Sequence, residues 1–307
     1  MSEAAVGLLT EAPAVMARAL PLTREMSLDE AFRCAARECH AHIAGNAAPV
    51  VENRDAEGLH QLRVGLRRLT IALADFAPGA TDLRTRAKAF FDATGPARDI
   101  DMFLTELFEP VVAELEPVEG FAILRRRAEQ MRARAWDAAA AEVASPDFAT
   151  FLGEVAAARR PVDQPEAALA TQAAAVLDKH LMRVAKRGRG FKTLSNEGTH
   201  GLRIALKKLR YAADFHAALY KEKAARRYLK QLKTLQDVLG RINDAAQVRG
   251  FLGRLMMEEA ASAQVQADLS YAAGQITGWN QAAARDLRSK AREHWRAFKQ
   301  AEPFWRD

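Results

Sequence analysis

A pattern of leucines and cations occurs twice in the chain. Residues 59–69 read LHQLRVGLRRL and residues 199–209 read THGLRIALKKL. An ungapped alignment has five identities: His60/His200, Leu62/Leu202, Arg63/Arg203, Leu66/Leu206 and Leu69/Leu209. Further on, ARDIDMF (97–103) aligns with GRINDAAQ (240–247), which pairs Arg98 with Arg241 and Asp101 with Asp244. Two matches in the same order predict an internal duplication of a helical bundle.

The leucine spacing predicts an α-helix for both copies. At about 100° per residue, the leucines fall on one side of each helix, where we expect them to be buried. The opposite side carries His60, Arg63 and Arg67 in the first copy, with Arg68 at one flank. In the second copy it carries His200, Arg203 and Lys207, with Arg210 and Tyr211 beside them. The pattern therefore predicts two amphipathic helices with basic outer faces.

The rest of the sequence also favours helices. Glycine and proline are few (17 and 11), and neither β-branched runs nor Asn-Gly hairpins occur. Helix boundaries are indicated by the capping box Ser27–Glu30, by Pro78-Gly79, by Gly95-Pro96 and by Ser145-Pro146. We predict an all-α fold. PVDQP (161–165), which lies near the middle of the chain, is the expected linker between the two halves.

The basic faces have few acidic neighbours. The formal net charge is +6, yet no acid occurs from 58 to 74 or from 198 to 213. From Lys179 to Arg210 there are ten Lys or Arg residues and one acid, Glu197. A single basic helix face is usually only solvated. Two such faces without i,i+4 carboxylate partners indicate instead an anionic ligand.

Several other functions find no sequence support. The two cysteines, Cys34 and Cys39, form neither a CxxC pair nor a disulfide framework, and they fit a reducing compartment. The histidines lack metal-ligand spacing, and no Ser/His/Asp set or Gly-rich phosphate loop occurs, so we expect no metal, no cofactor and no catalysis. Asp101 and Asp244 are interpreted as structural ion-pair partners. No membrane-spanning run or convincing signal peptide occurs, so we expect a cytoplasmic protein.

The doubled helix resembles the CHAD family, the conserved histidine α-helical domain. The second copy, HGLRIALKKLRYAADF, is the closer match, and LQDVLGRINDAAQV (235–248), GPARDIDMF, AAGQITGW (272–279) and EPFW (302–305) also resemble family segments. The likeness covers roughly residues 25–305. It implies a pair of pseudo-symmetric four-helix bundles that binds inorganic polyphosphate, in some members at polyphosphate granules. Some members also carry a CYTH triphosphatase domain, whose E-x-E-x-K strand is not found in this sequence.

The sequence breaks and the resemblance together predict a domain division. We expect a loosely ordered leader (1–24), a first repeat (25–160), the linker (161–165) and a second repeat (166–307), with the two repeats forming one CHAD domain. The implied polyphosphate-binding residues are His60, Arg63, Arg67, Arg68, His200, Arg203, Lys207, Lys208 and Arg210. Further candidate contacts are Arg126, Arg183, Lys186, Arg187, Arg227, Lys230 and Lys233. The first copy has Thr70-Ile71 in place of Arg210-Tyr211, so it is expected to contribute less.

Two questions stay open at the level of the sequence. The histidines either contact ligand near the helix start, where Thr199 is the expected N-cap, or orient neighbouring helices. The ligand itself has two alternatives. Nucleic acid would be attracted by the same cations, although aromatic residues are not interleaved with them. A phosphate-processing enzyme would need a metal-holding carboxylate cluster, which the sequence does not show.

Overall fold

The computed structural model describes residues 13–160, 169–257 and 262–306, and it is all-α, without a strand in these ranges. Helices α1 to α8 precede the gap at 161–168, and α9 to α12 follow it. Their bounds are α1 (Leu28–Ala44), α2 (Ala47–Asn53), α3 (Ala56–Phe76), α4 (Thr81–Ala93), α5 (Gly95–Met102), α6 (Glu109–Val112), α7 (Glu119–Val143), α8 (Pro146–Ala157), α9 (Leu169–Arg187), α10 (Asn196–His216), α11 (Glu222–Leu255) and α12 (Ala263–Gln300). A π-helical turn, Phe103–Phe108, joins α5 to α6.

The predicted helix boundaries are largely confirmed. Ser27 and Glu30 form the capping box of α1, and Ser145 caps α8 ahead of Pro146. Helix α5 begins at Gly95, where the sequence indicated a break. The N-cap of α10 is Ser195, whose Oγ accepts from the backbone N–H of Gly198. The expectation of an N-cap at Thr199 was therefore wrong, because a serine one turn earlier already caps the helix.

The two copies of the doubled motif lie on α3 and α10, which are both 21 residues long. Leu62, Leu66 and Leu69 are fully buried on α3, and their counterparts on α10 are fully buried too. The inward leucine faces predicted from the spacing are thus confirmed. The π-helical turn and the division of residues 25–160 into α1 to α8 were not predicted, and the internal duplication itself stays a prediction.

Three apolar cores hold the helices together. The first lies among α1, α3, α4 and α8 and also receives Tyr211 and Phe215 from α10. The second lies among α9, α10, α11 and the end of α12. The third is built jointly by residues from 100 to 128 and from 248 to 276. The halves on either side of the expected linker therefore share core side chains and pack as one body.

The described part of the expected leader is packed against the first core. Leu20 and Leu22 are 2 % and 3 % exposed and belong to that core. The backbone of Val15 also exchanges hydrogen bonds with the buried side chain of Asn46. Two leucines thus anchor an irregular segment that the sequence pattern did not flag.

The linker expected at 161–165 lies outside the described residues. Among the helices that the structure describes, none combines the length and the hydropathy that crossing a membrane requires.

Candidate functional site

The basic faces of α3 and α10 meet. Arg67 on α3 lies close enough to Arg203 and Arg210 on α10 for mutual electrostatic repulsion. Lys207 on α10 is repelled by Arg67 and Arg203, and it is also near His60. The structure thus brings cations from two distant sequence segments together. We call Arg63, Arg67, Arg203, Lys207 and Arg210 the basic cluster.

The basic cluster is partly buried, which perturbs its protonation. Burial and the neighbouring cations Arg67 and Arg203 lower the pKa of Lys207 from 10.5 to about 7. Burial likewise lowers the pKa of Arg63 to about 10, and it lowers that of Arg67. The buried Nε atoms of Arg203 and Arg210 have no hydrogen-bond partner in the described part of the chain. Cations of the cluster therefore repel one another, and two of them have an N–H group without an acceptor; a bound anion would offset this repulsion.

Helix α5 and the middle of α11 approach the cluster through glycines. A Cβ placed on Gly95 would lie 3.5 Å from Nη1 of Arg63, and one placed on Gly240 would lie 3.8 Å from Nε of Arg203. These guanidinium groups lie over backbone that carries no side chain. Nη1 of Arg63 also donates to Oγ1 of Thr94 at 3.1 Å, while Nη2 of Arg203 is 3.8 Å from Oδ1 of Asp244.

The glycine positions offer another alignment for the second sequence match. Because Gly95 and Gly240 occupy equivalent places, Asp99 corresponds to Asp244, and Asp99 attracts Arg63 just as Asp244 attracts Arg203. Asp101 is instead buried and paired with Arg132 and the indole N–H of Trp136. This correspondence differs by two positions from the alignment that paired Asp101 with Asp244. Asp101 is a structural ion-pair partner, as expected, but its partner is Arg132 on α7.

Aromatic rings orient several of the cations. The guanidinium carbons of Arg63 and Arg67 lie 4.0 and 4.5 Å from the centroid of the Phe91 ring. That of Arg210 lies 4.9 Å from the ring of Tyr211. Stacking of this kind holds a guanidinium flat and leaves its N–H edge free for a second partner. The rings thus preorganise the cluster without neutralising it.

The structure places Arg68 apart from the basic cluster. Its side chain is buried at 7 % exposure, and Nη2 donates to the backbone carbonyl of Arg18 at 3.0 Å. The guanidinium also stacks on Phe215. Arg68 was expected to contact polyphosphate, but its guanidinium faces the N-terminal segment and not the basic cluster. This arginine holds the N-terminal segment against α3, a role invisible from a helical projection. Lys208, its counterpart on α10, is exposed.

The two histidines differ in their surroundings. Nδ1 of His200 lies 2.7 Å from Oδ1 of Asn243, so this ring links α10 to α11. His60 makes no hydrogen bond within the described residues, and burial together with nearby Arg98 lowers its pKa. Both rings lie a full turn inside helices whose first N–H groups are capped by Asp55 and Ser195. Helix orientation thus accounts for His200, while His60 faces the cluster.

The further candidate cations are all exposed. Of these, Arg187 lies beside α10, where Nη1 is 3.6 Å from a Cβ placed on Gly201. Lys233 precedes Gly240 by two helical turns and so lies on the face of α11 that carries Gly240. For the others, Arg126, Arg183, Lys186, Arg227 and Lys230, the structure records no contact with the basic cluster.

Residues that contact the cluster were missed at the level of the sequence. Phe91, Thr94 and Asp99 all touch or attract Arg63. The sequence did contain a signal for this region: a glycine follows each copy of the motif by about thirty residues, at Gly95 and at Gly240. No group of three or more His, Cys, Asp or Glu side chains suited to a metal ion occurs in the described ranges.

Comparison with known proteins identifies the family. The CHAD domain model matches residues 34–253, which is more than half of the chain. The chain belongs to the CHAD family. The crystal structure of the CHAD domain from the plant Ricinus communis is 28 % identical with a TM-score of 0.74, covering 92 % of this chain and 97 % of that one. PptA from Streptomyces chartreusis shares the fold at 14 % identity and a TM-score of 0.67, covering 86 % and 98 %. No curated protein matches the sequence.

The expected all-α CHAD fold is confirmed. The doubled motif lies inside the matched range, and both of its helices contribute to the basic cluster. The family assignment does not by itself identify the ligand of this chain.

Proposed function

We propose that this CHAD protein binds inorganic polyphosphate through the basic cluster, and that it is a binding protein rather than an enzyme. One observation carries the proposal: two helices from distant parts of the chain turn partly buried cations toward each other, and Lys207 is held at a pKa of about 7. Cations that repel one another in a partly desolvated place cost stability unless an anion neutralises them.

A linear polyanion suits this arrangement better than a single small anion. The cations repeat every three or four residues along α3 and α10, so each helix offers successive contacts along a line. Arginine binds two oxygens of one phosphate through its planar fork, and Arg63, Arg67, Arg203 and Arg210 supply four such groups. A chain of phosphates would engage both helices, whereas orthophosphate would fill only part of the cluster.

The test is a calorimetric titration of the protein with long-chain polyphosphate, tripolyphosphate and orthophosphate, each at low and at physiological salt. The site variant changes Arg63, Arg67, Arg203 and Lys207 to Gln, which keeps part of each stem in place. The matched control changes four exposed cations, Arg24, Arg37, Lys221 and Lys290, to Gln, so that both proteins lose four basic side chains.

We expect affinity to rise with chain length and to fall steeply with salt. The site variant should lose at least about tenfold in affinity, equivalent to about 1.4 kcal/mol, while the control stays near wild type. Equal losses in both variants would show that net charge, not the basic cluster, governs binding. Displacement of long polyphosphate by duplex or single-stranded nucleic acid at equal phosphate concentration would favour the nucleic-acid alternative. Release of orthophosphate from polyphosphate with Mg²⁺, abolished in the site variant, would establish an enzyme.

A further inference from the structure

A second basic region lies away from the basic cluster, between the end of α9 and the end of α12. A groove of about 730 Å³ opens there, a volume in the range of small-molecule sites. Its walls combine apolar side chains with a cationic rim made by Arg189, Lys192, Arg292, Arg296, Lys299 and Arg306. We call it the α9–α12 groove.

An aromatic pair forms one wall of the groove, in which half-buried Phe191 covers the nearly buried indole of Trp295. The rings of Phe191 and Trp295 stack with centroids 5.2 Å apart and planes 8° from parallel. Gly188 permits this arrangement, because a Cβ there would lie 2.2 Å from the six-membered ring of Trp295. The turn after α9 is thus shaped around the indole, and the wall is held by packing.

A buried hydroxyl in the same groove lacks a partner. Tyr228 lines the groove and is only 2 % exposed, and its hydroxyl makes no hydrogen bond in the described part of the chain. Burial raises the pKa of this phenol, so the hydroxyl stays neutral and able to donate. An unpaired buried hydroxyl costs free energy that a polar ligand atom would recover.

The rim is largely unneutralised. Arg306 pairs with Asp178, but the described residues form no ion pair with Arg189, Lys192, Arg296 or Lys299. Arg292 donates to the backbone carbonyl of Arg288 and has no described carboxylate partner either. An occupant of this groove would meet several free positive charges at its mouth.

We propose that the α9–α12 groove binds a nucleoside polyphosphate. The aromatic pair suits a planar ring, and the unpaired Tyr228 hydroxyl suits a ring with a polar edge, which a hydrocarbon ring lacks. The cationic rim requires several negative charges on the same molecule. A purine or pyrimidine that carries a di- or triphosphate meets all of these conditions. This site is separate from the basic cluster and does not depend on the proposed polyphosphate binding.

The test uses ATP as the probe and tripolyphosphate as a triphosphate that lacks the ring. The affinity of the full chain for each is measured by calorimetry. Arg296→Glu reverses one rim charge, and Lys290→Glu is the matched control, because Lys290 is exposed on α12 but does not line the groove. Tyr228→Phe removes only the hydroxyl. The site variant of the basic cluster serves as a third protein, in which binding at that cluster is disabled.

In the basic-cluster variant, ATP should bind at least about tenfold more tightly than tripolyphosphate, because only ATP has a ring for the aromatic wall. Arg296→Glu should weaken ATP binding about tenfold and Lys290→Glu should leave it unchanged. Tyr228→Phe should weaken ATP binding several-fold while thermal stability stays the same or rises, since the lost hydroxyl has no partner in the free protein.

Equal affinity for ATP and tripolyphosphate in that variant would overturn the proposal, as would equal effects of Arg296→Glu and Lys290→Glu. Retained ATP binding together with lost polyphosphate binding in the basic-cluster variant would support both sites independently. Retained polyphosphate binding in that variant, with ATP still sensitive to Arg296→Glu, would refute the proposed function alone.

Discussion

At the scale of single residues, Lys207 carries the most information about the basic cluster. Its pKa of about 7 follows from burial and from the cations Arg67 and Arg203. A bound phosphate would reverse this balance, because a nearby anion favours the charged ammonium and raises the pKa. Binding above pH 7 should therefore take up a proton.

We predict that the affinity for long-chain polyphosphate falls as the pH rises above about 7, by up to about tenfold per pH unit. The sign follows because the free protein has released the Lys207 proton there, and the complex must recover it. Calorimetry at pH 8 in two buffers of different ionisation enthalpy measures the uptake directly, with long chains so that terminal phosphates contribute little.

Lys207→Arg is the control for this prediction, since a guanidinium stays charged throughout this range. It should bind with a flatter pH profile and take up fewer protons at pH 8. Wild-type binding that takes up no proton at pH 8 would contradict the assignment of Lys207 to the ligand contact.

At the scale of helices, close approaches at glycine fix how the two halves pack. A Cβ on Gly120 of α7 would lie 2.1 Å from the backbone carbonyl oxygen of Asp268 on α12. A backbone atom cannot swing aside as a side chain does, so any larger residue there forces the two helices apart. This contact lies beside the third core, which both halves build.

We predict that Gly120→Ala lowers the free energy of unfolding by about 1–3 kcal/mol or more, because the crossing of α7 and α12 must open. Gly153→Ala is the matched control: it lies on α8 with no atom within 4 Å of the new Cβ. That change should be neutral or stabilise by up to about 1 kcal/mol through helix propensity. Urea unfolding measures both, and a tolerated Gly120→Ala would mean that the helices separate at little cost.

At the scale of the whole molecule, the basic cluster couples the two halves of the chain. Arg67 comes from α3 and Arg203 from α10, and each lowers the tendency of its neighbours to carry a proton. Their repulsion is present only in the folded protein, where α3 and α10 are brought together. This repulsion thus opposes folding until an anion binds.

We predict a repulsive coupling between Arg67 and Arg203 in a double-mutant cycle of stability. In ligand-free protein, the Arg67→Gln and Arg203→Gln changes each relieve the same repulsion, so the double variant should gain less than the sum of the two, by at least about 0.5 kcal/mol. Saturating tripolyphosphate should reduce this coupling. Arg67→Gln with the distant Lys221→Gln should be additive, and additivity in both pairs would refute a shared cluster.

The sequence by itself determined the all-α class, the main helix boundaries and the two basic helices. These features are local: caps such as Ser27 act within one turn, and the leucine stripe of α3 follows from helical geometry alone. The resemblance to the CHAD family rested on the same local patterns. All the cations of the cluster were therefore named before any fold was known. Arg68 was named with them, but the structure places it outside the cluster.

Only the tertiary structure decided which side chains face one another. A helical projection places Arg68 beside Arg67, but the packing of residues 13–24 over α3 buries one guanidinium and leaves the other in the cluster. The attraction between Asp99 and Arg63, the anchoring of Leu20 and the stack of Phe191 on Trp295 likewise join residues far apart in sequence. The lowered pKa of Lys207 has the same origin, since burial and neighbouring charges arise only when distant helices pack together.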